Sequence, residues 1–555
     1  MAPVLIVGAG PTGLALALSL LRNGVPVRII DKRPEHTIGQ RGAGMQPRTL
    51  ELYKILGALP DIAAAGHPER PIRMYTSPEG PTHVAEFHMH EQLENTPEYP
   101  LINLTVLGQD KHEAVLRKRL AEDYGTHVEL GTELKSFEQT DDYVESRLVK
   151  HIDGKEVEEI FQSEFLVGTD GARSVVRKQL GLTFLGKSDE QTSVIAGDVR
   201  IKSGMPDRNY WRMWGDRKKT FLSLFPFETE GDLYFLVTGG TGIDVQQVNS
   251  SPEALYNHIS STIGRDFEFG ETLWSGVWSV NVRMVNKFGE GRVFVGGDAA
   301  HVHSPAGAQG MNSGVQDSIN LGWKIGLVHK GLAPLSFLTS YTDERLPVIA
   351  TMLNKTTELM DNSFKVSEDD PVGNAGFAKR GFELRMLGVN YRKSPVVVDE
   401  KHEEKEVAVD PYRSGTDGTL KGGDRAPSAS GLVDLADNST TTLFDLFSPS
   451  KHTIMVFSKD DSVPREVLEA VGGTFPQGTA QTVIIYPQSF TGSSTASEAQ
   501  GHCVLVDKEG FAFKHYRVDT NDRLRIIVIR PDGYIGAIAE GVEGLKKYVG
   551  LVFKS

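Results

Sequence analysis

Gly8, Gly10 and Gly13 carry the clearest chemical consequence in this chain, set in the run Val4-Leu5-Ile6-Val7-Gly8-Ala9-Gly10-Pro11-Thr12-Gly13. An apolar strand that turns through G-x-G-x-x-G into an apolar helix begins a nucleotide-binding βαβ unit. Gly8 makes the tight turn, Gly10 lets the backbone approach a pyrophosphate, and Gly13 lets helix and strand pack closely. The free N–H groups of the helix's first turn attract phosphate charge. A second strand, Val27-Arg28-Ile29-Ile30, leads to Asp31, eighteen residues past Gly13, where a carboxylate can accept hydrogen bonds from ribose hydroxyls. The glycines alone are weak evidence. With strand, helix and acid in place they predict a bound dinucleotide.

Three later segments add to this site. Gly168-Thr169-Asp170-Gly171-Ala172-Arg173-Ser174 follows an apolar strand. Gly297-Asp298 follows another, Arg292-Val293-Phe294-Val295-Gly296, so Asp298 stands at a strand's carboxyl end, where α/β sheets bind ligands. Pro305-Ala306-Gly307-Ala308-Gln309-Gly310-Met311-Asn312 is a small-residue loop opening a helix. Its glycines let N–H groups approach a flat ring, and the helix start favours negative charge. Singly, each has a plainer reading: Asp170-Gly171 also makes a turn, and Asp298 also caps a helix.

Taken together and in this order, these residues resemble the class A FAD-dependent aromatic hydroxylases, typified by para-hydroxybenzoate hydroxylase and phenol hydroxylase. The resemblance runs from Val4 to about Met360. It implies FAD as cofactor, NADH or NADPH as a transient reductant, and O2 as co-substrate. It also implies oxygen transfer to an electron-rich ring through a flavin C4a-hydroperoxide. Asp31 matches the ribose-binding acid, Asp170 and Gly171 a segment associated with FAD and NAD(P)H, and Asp298 the residue on the ribityl chain. Gly310, Met311 and Asn312 match the loop facing the isoalloxazine, and Arg41 and Gln109 the flavin-contacting Arg and Gln. Pro305 matches the proline whose carbonyl stands beside the hydroperoxide. No second G-x-G-x-x-G exists for a nicotinamide domain, which fits a reductant that visits only transiently.

The implied substrate is a phenol or aromatic acid, hydroxylated with loss of CO2 where a carboxylate occupies the attacked position. A phenol attacks best as phenolate, so a base or a stabilising cation is useful. Tyr210 and Arg212 are the candidates for that role, with Trp214 and Arg283 as further substrate contacts on the same class of strand. Ordinary sheet packing or a surface ion pair is the alternative for each. Gln46, at the start of the helix Pro47–Leu56, is a further pocket candidate. Gly42-Ala43-Gly44 occupies the stretch where phenol hydroxylases carry an acid, so acid-assisted deprotonation does not carry over. His301 reads as a structural histidine, and His303 as a tempting base. A halogenase is disfavoured because Trp274-Ser275-Gly276-Val277-Trp278 does not supply W-x-W-x-I-P. A flavin epoxidase or oxidase, and a non-catalytic flavin-binding protein, stay open as alternatives.

The elements that must position these groups predict an α/β fold. A Rossmann-type FAD-binding domain (1–75, 101–182 and 285–368) is interleaved with an antiparallel-sheet substrate domain (an excursion at 76–100, then 183–284). A linker at 369–423 leads to a tail at 424–555. The tail phrase Val528-Ile529-Arg530-Pro531-Asp532-Gly533-Tyr534-Ile535-Gly536 resembles the thioredoxin-like domain of the phenol hydroxylase branch. Dithiol exchange needs two thiols, and Cys503 is the chain's one cysteine. The tail therefore reads as a redox-dead scaffold. The 555 residues carry a net charge of −14, which repels phosphate backbones and excludes nucleic acid as a natural partner. No segment approaches the ~18 consecutive apolar residues of a membrane span, and no cysteine-rich metal site is possible. The expectation is a cytoplasmic enzyme without a metal, with a homodimer as the default assembly.

Overall fold

The structure is a computed structural model. It describes residues 2–80, 82–152, 154–216, 219–303, 306–363, 380–402, 409–413, 418–459, 465–490, 503–519 and 524–554. The apolar run Val4–Val7 lies inside a six-stranded sheet, parallel to Val27–Ile30 on one side and Phe165–Gly168 on the other. A parallel strand covered on both faces must be apolar throughout, and all four of its residues are buried. Val293–Val295 extends the sheet beyond Phe165–Gly168, so Gly168 and Val295 end on the same edge as Val7. The helix Pro11–Arg22 packs against the helix Gly310–His329. Small residues set that spacing: a Cβ at Gly314 would lie 2.2 Å from Thr12 Oγ1, and one at Gly322 2.2 Å from Ser19 Oγ.

Two strands lie between Lys155 and Gly168. Lys155–Ser163 pairs with Val144–Ile152 in a separate three-stranded sheet, and Phe165–Gly168 enters the nucleotide sheet after Glu164. Two helices follow the small-residue loop, Gly310–His329 and Thr339–Ser363, parted by Gly331 at φ +71 and by Pro334.

Eight strands form the second sheet. Those of 183–284 are antiparallel neighbours, and Ile72–Tyr75 and Ala85–Phe87 complete the edge, the former parallel to Trp211–Asp216. Side chains alternate across its faces. One set (including Ile195, Val199, Trp214, Leu222 and Leu236) packs beneath the helix Pro252–Ile263. The other set, Ile72, Met74, Trp211 and Met213, packs against Ala43, Leu104 and Val106 of the nucleotide domain.

The tail carries a further sheet. His452–Ser458, Ala480–Pro487 and Cys503–Asp507 run parallel, and Leu524–Ile529 and Ile535–Ala539 add an antiparallel pair. Val398–Asp399, from the stretch read as a linker, joins its edge. Leu384, Met386, Tyr391 and Tyr412 of the same stretch are buried. The tail docks through buried charge. Arg530 donates to both oxygens of Glu344 at 2.6 and 2.8 Å, Lys324 reaches the same carboxylate at 2.8 Å, and Arg425 pairs with Glu51 at 2.6 Å. Among the described residues no helix is long and apolar enough to cross a membrane.

Candidate active site

Strand ends and helix starts meet in a cleft of about 420 Å³ lined by Gly8, Gly10, Asp31, Gln109, Asp170, Gly171, Asp298, Gly310 and Met311. These residues span three hundred positions of sequence, and parallel pairing of three strands brings them to one edge. Gly8 sits at φ +103, and a Cβ there would lie 2.4 Å from the Thr169 carbonyl oxygen, so the turn admits glycine alone. Gly13 does not line the cleft. It lets the helix approach the turn, since a Cβ there would lie 2.0 Å from the Gly8 carbonyl oxygen. Gly10 differs from both: nothing stands within 4 Å of its would-be Cβ. It is also the N-cap of the helix Pro11–Arg22, and no side chain caps that terminus. An open approach to uncapped N–H groups suits a phosphate.

The acids around the cleft are set apart by their surroundings. Asp31 Oδ2 accepts the Ala9 N–H at 2.9 Å, and Oδ1 accepts the Arg33 backbone N–H at 3.0 Å. Burial opposes its ionisation, but the Arg33 guanidinium and these backbone donors hold the carboxyl below its ordinary range. Asp170 Oδ2 accepts the Val175 N–H at 2.7 Å, while its Oδ1 is buried without a partner. Burial pushes the Asp170 carboxyl up, against the hydrogen bonds it receives. The surrounding protein also pushes up the Asp298 carboxyl, although its side chain opens into the cleft. Its loop is fixed from behind: Asp317 accepts the Gly297 N–H at 3.0 Å, the Arg345 Nε–H at 2.7 Å, and pairs with His301 Nε2 at 2.8 Å. His301 is fully buried in this arrangement.

Two candidate residues, one matched to the family and one a pocket candidate, lie behind the wall. Asn312 is buried, accepting the Gln46 N–H at 2.8 Å and donating to the Gly44 carbonyl at 2.8 Å. It ties the start of the Gly310 helix to the 44–46 segment. Gln46 is buried too, and its Nε2 donates to the Gly307 carbonyl at 3.0 Å. Arg41 is exposed, with its guanidinium 4.8 Å from the Trp274 ring centre, and its neighbour Gly42 lines the cleft. Pro305 lies outside the described residues. A Cβ at Gly310 would meet His303 Nε2 at 2.8 Å, so His303 stands against the start of this helix.

The substrate-strand candidates do not gather at the cleft. Arg212 is buried and binds Asp207 at 2.8 Å, and Trp214 is buried in a stack on Tyr75 with ring centres 5.7 Å apart. Tyr210 lies under the Arg73 guanidinium at 3.3 Å. Arg283 donates to Asn281 Oδ1 at 2.8 Å, on the strand beside Val302. Along Trp211–Asp216 it is Trp211 and Met213 that face the nucleotide domain, one residue out of phase with Arg212 and Trp214. Sequence reasoning also missed Arg33 and Glu113, both of which line the cleft. Glu113 was within reach: it follows Gln109 by four residues on one helix, and accepts the Gln109 Nε2–H at 2.9 Å.

Sheet, glycine turn and cleft define a nucleotide-binding α/β protein with a second, aromatic-faced sheet beside its ligand edge. Residues 1–356 match the family described as FAD binding domain. A flavin-dependent monooxygenase of Mycobacteroides abscessus is 33% identical over 502 residues, covering 89% of this chain and 97% of that protein. The chain belongs to this family of FAD-dependent monooxygenases, and FAD is its cofactor. Pentachlorophenol 4-monooxygenase of Sphingobium chlorophenolicum is 28% identical, covering 97% of this chain and 94% of its own length. Among solved structures, the flavin-dependent monooxygenase PieE in complex with FAD and substrate shares the fold, with a TM-score of 0.79 and 22% identity over 99% of this chain and 98% of its own.

Proposed function

We propose that this chain hydroxylates a phenolic or aromatic-acid substrate, using NADH or NADPH as reductant and O2 as the oxygen source. The observation that carries the reading is the convergence of Gly10, Asp31, Asp170, Asp298 and Gly310-Met311 on one cleft, beside a sheet face rich in aromatic rings. In this reading the Pro11–Arg22 helix start holds the diphosphate, Asp31 the ribose, Asp298 the ribityl chain, and Gly310 and Met311 the ring system. Bound FAD supplies the redox chemistry, taking a hydride equivalent from the nicotinamide and activating dioxygen. The chain's own residues bind, orient and exclude water.

The aromatic substrate is assigned to the sheet face that carries Trp211 and Met213. Phe225, Phe227 and Phe235 continue this face towards Trp274, with ring centres 5.2 to 6.5 Å apart. Such rings stack on a planar substrate. The Trp211 indole N–H is buried without a partner, a donor available to a substrate oxygen. Pro305 is assigned by the resemblance alone, as the family's proline whose carbonyl stands beside the reacting oxygen. The tail is assigned a thioredoxin-like fold without dithiol chemistry: burial, with Asp434 nearby, pushes the Cys503 thiol up to about 11, the reverse of an activated cysteine. One cysteine fits a reducing compartment, and a cytoplasmic location belongs to the same reading.

The test is oxygen tracing. Purified protein carrying FAD is given NADH or NADPH, a panel of phenols and labelled dioxygen. One labelled oxygen atom in the aromatic product is expected. Release of hydrogen peroxide with every ligand, and no labelled product, would show an oxidase instead.

A further inference from the structure

Asp198 lies on the strand Leu185–Ser203 of the second sheet, opposite Trp274 on the neighbouring strand, and is fully buried. Its Oδ2 accepts two hydrogen bonds, from the Gln40 backbone N–H and the Trp274 Nε1–H, both at 2.8 Å. The first is long-range, 158 residues in sequence, and joins the two domains. The segment it holds is short and closely fitted. Gly39 sits at φ +119, and a Cβ there would lie 2.1 Å from Trp274 Nε1. Arg41 stacks on the same indole. On the far side, Asp110 Oδ2 receives the Gly39 N–H at 3.4 Å. Gly42 then forms cleft wall, its would-be Cβ 3.7 Å from Gln109 Oε1 and 4.0 Å from Met311 Cβ.

We propose that Asp198 is a positioning residue that latches the 39–42 segment, and with it the cleft wall between Gln109 and Met311, to the aromatic face of the second sheet. The proposal rests on the flavin reading and adds to it a mechanical tie between the sheet assigned to the substrate and the wall assigned to the flavin. The junction also has hydrogen-bonding capacity to spare. Asp198 Oδ1 and both ends of the Gln40 carboxamide are buried without partners. Burial raises the Asp198 carboxyl to about 6, against the donors Gln40 and Trp274. Asp110, from the helix Gln109–Tyr124, raises it further, and Arg41, from the latched segment, lowers it. The flanking strands present Phe235 and Trp274, neither of which titrates. The charged carboxylate is the stronger acceptor, so the latch weakens as pH falls through that value.

The experiment uses the full chain loaded with FAD. Asp198→Asn removes the charge, Trp274→Phe removes the indole donor while keeping a ring for Arg41, and Trp278→Phe is the control. The readouts are FAD affinity and the visible circular dichroism of bound flavin between pH 5 and pH 8. Expected are a parent flavin signal that changes near pH 6, loss of that change in Asp198→Asn, and FAD binding about tenfold weaker in both latch variants. The control should match the parent. Thermal unfolding of the FAD-free proteins separates a merely structural loss, which would lower stability without touching the pH profile. Latch variants that bind FAD with the parent's affinity, spectrum and pH profile overturn the proposal. A parent chain that takes no FAD overturns the flavin reading instead. If Asp198→Asn does not fold, Trp274→Phe decides alone.

Discussion

Gly10→Ala separates binding from folding more sharply than any other change at the cleft. Gly10 has φ −76 and ψ −176, backbone that alanine adopts freely, and no atom lies within 4 Å of the added methyl. Loss of a good N-cap residue costs the FAD-free protein about 1 kcal/mol at most. The methyl instead occupies the approach to the uncapped N–H groups of the Pro11–Arg22 helix. Each charged hydrogen bond lost there is worth about 1.5–3 kcal/mol, or roughly a ten- to 150-fold weaker FAD complex per bond. Gly13→Ala should behave differently. Its methyl would meet the Gly8 carbonyl oxygen at 2.0 Å, a backbone atom that cannot swing aside. Overpacking of this kind costs about 1–3 kcal/mol, so the FAD-free fold weakens too. Flavin fluorescence titration gives the affinities, and urea unfolding of the FAD-free proteins gives the stabilities. Parent affinity in Gly10→Ala would refute the placement of the diphosphate at this turn.

Three further outcomes follow from buried charge and from the lone thiol. Arg530→Met removes the guanidinium shared by the buried Glu344 and Asp532, leaving Glu344 with Lys324 as its cation and Asp532 with only the neutral donors Trp323 and Asn320, and should destabilise the chain by about 3–5 kcal/mol; an unchanged urea midpoint would contradict a closed network. Asp317 is held down at about 2, because Arg345 and His301 outweigh its burial. Its stabilisation is present in full above the ordinary carboxyl value of 3.8 and is lost as pH falls towards 2. Acid unfolding of Asp317→Asn should therefore be less steep over that window, and equal slopes would sink the assignment. Iodoacetamide should label Cys503 slowly at pH 8, where a thiol near 11 is about one part in a thousand thiolate. Fast labelling at pH 8 would place the thiol elsewhere.

How much of this was legible in the sequence depended on the range of the contacts. Local patterns were readable: the glycine spacing, the strand before it and the acid at Asp31 all act within one βαβ unit. Asp170 and Asp298 were readable because each ends an apolar strand. The strand at Trp211–Asp216 was readable as alternation, but alternation does not say which face meets the nucleotide domain. That choice is made by the helix Pro252–Ile263, which covers Trp214 and leaves Trp211 facing Ala43 and Leu104. A period-two pattern read one residue out of phase exchanges the faces. Asp198 gave no signal, because its partners Gln40 and Trp274 lie 158 and 76 residues away. The packing of 380–402 and 409–413 was hidden for a similar reason: Tyr412 reaches Gln309 at 2.9 Å, 103 residues back, through a side chain in a polar stretch.

The Glu344–Arg530 pair also sets an order of events during synthesis. Glu344 and Lys324 emerge from the ribosome well before Arg530, which trails Glu344 by 186 residues. Until the tail arrives, Glu344 has Lys324 as its one cationic partner among the described residues. The nucleotide lobe therefore completes its interior with a side chain made 186 residues after Glu344. A polypeptide stopped short of Arg530 lacks the guanidinium that binds both oxygens of the Glu344 carboxylate.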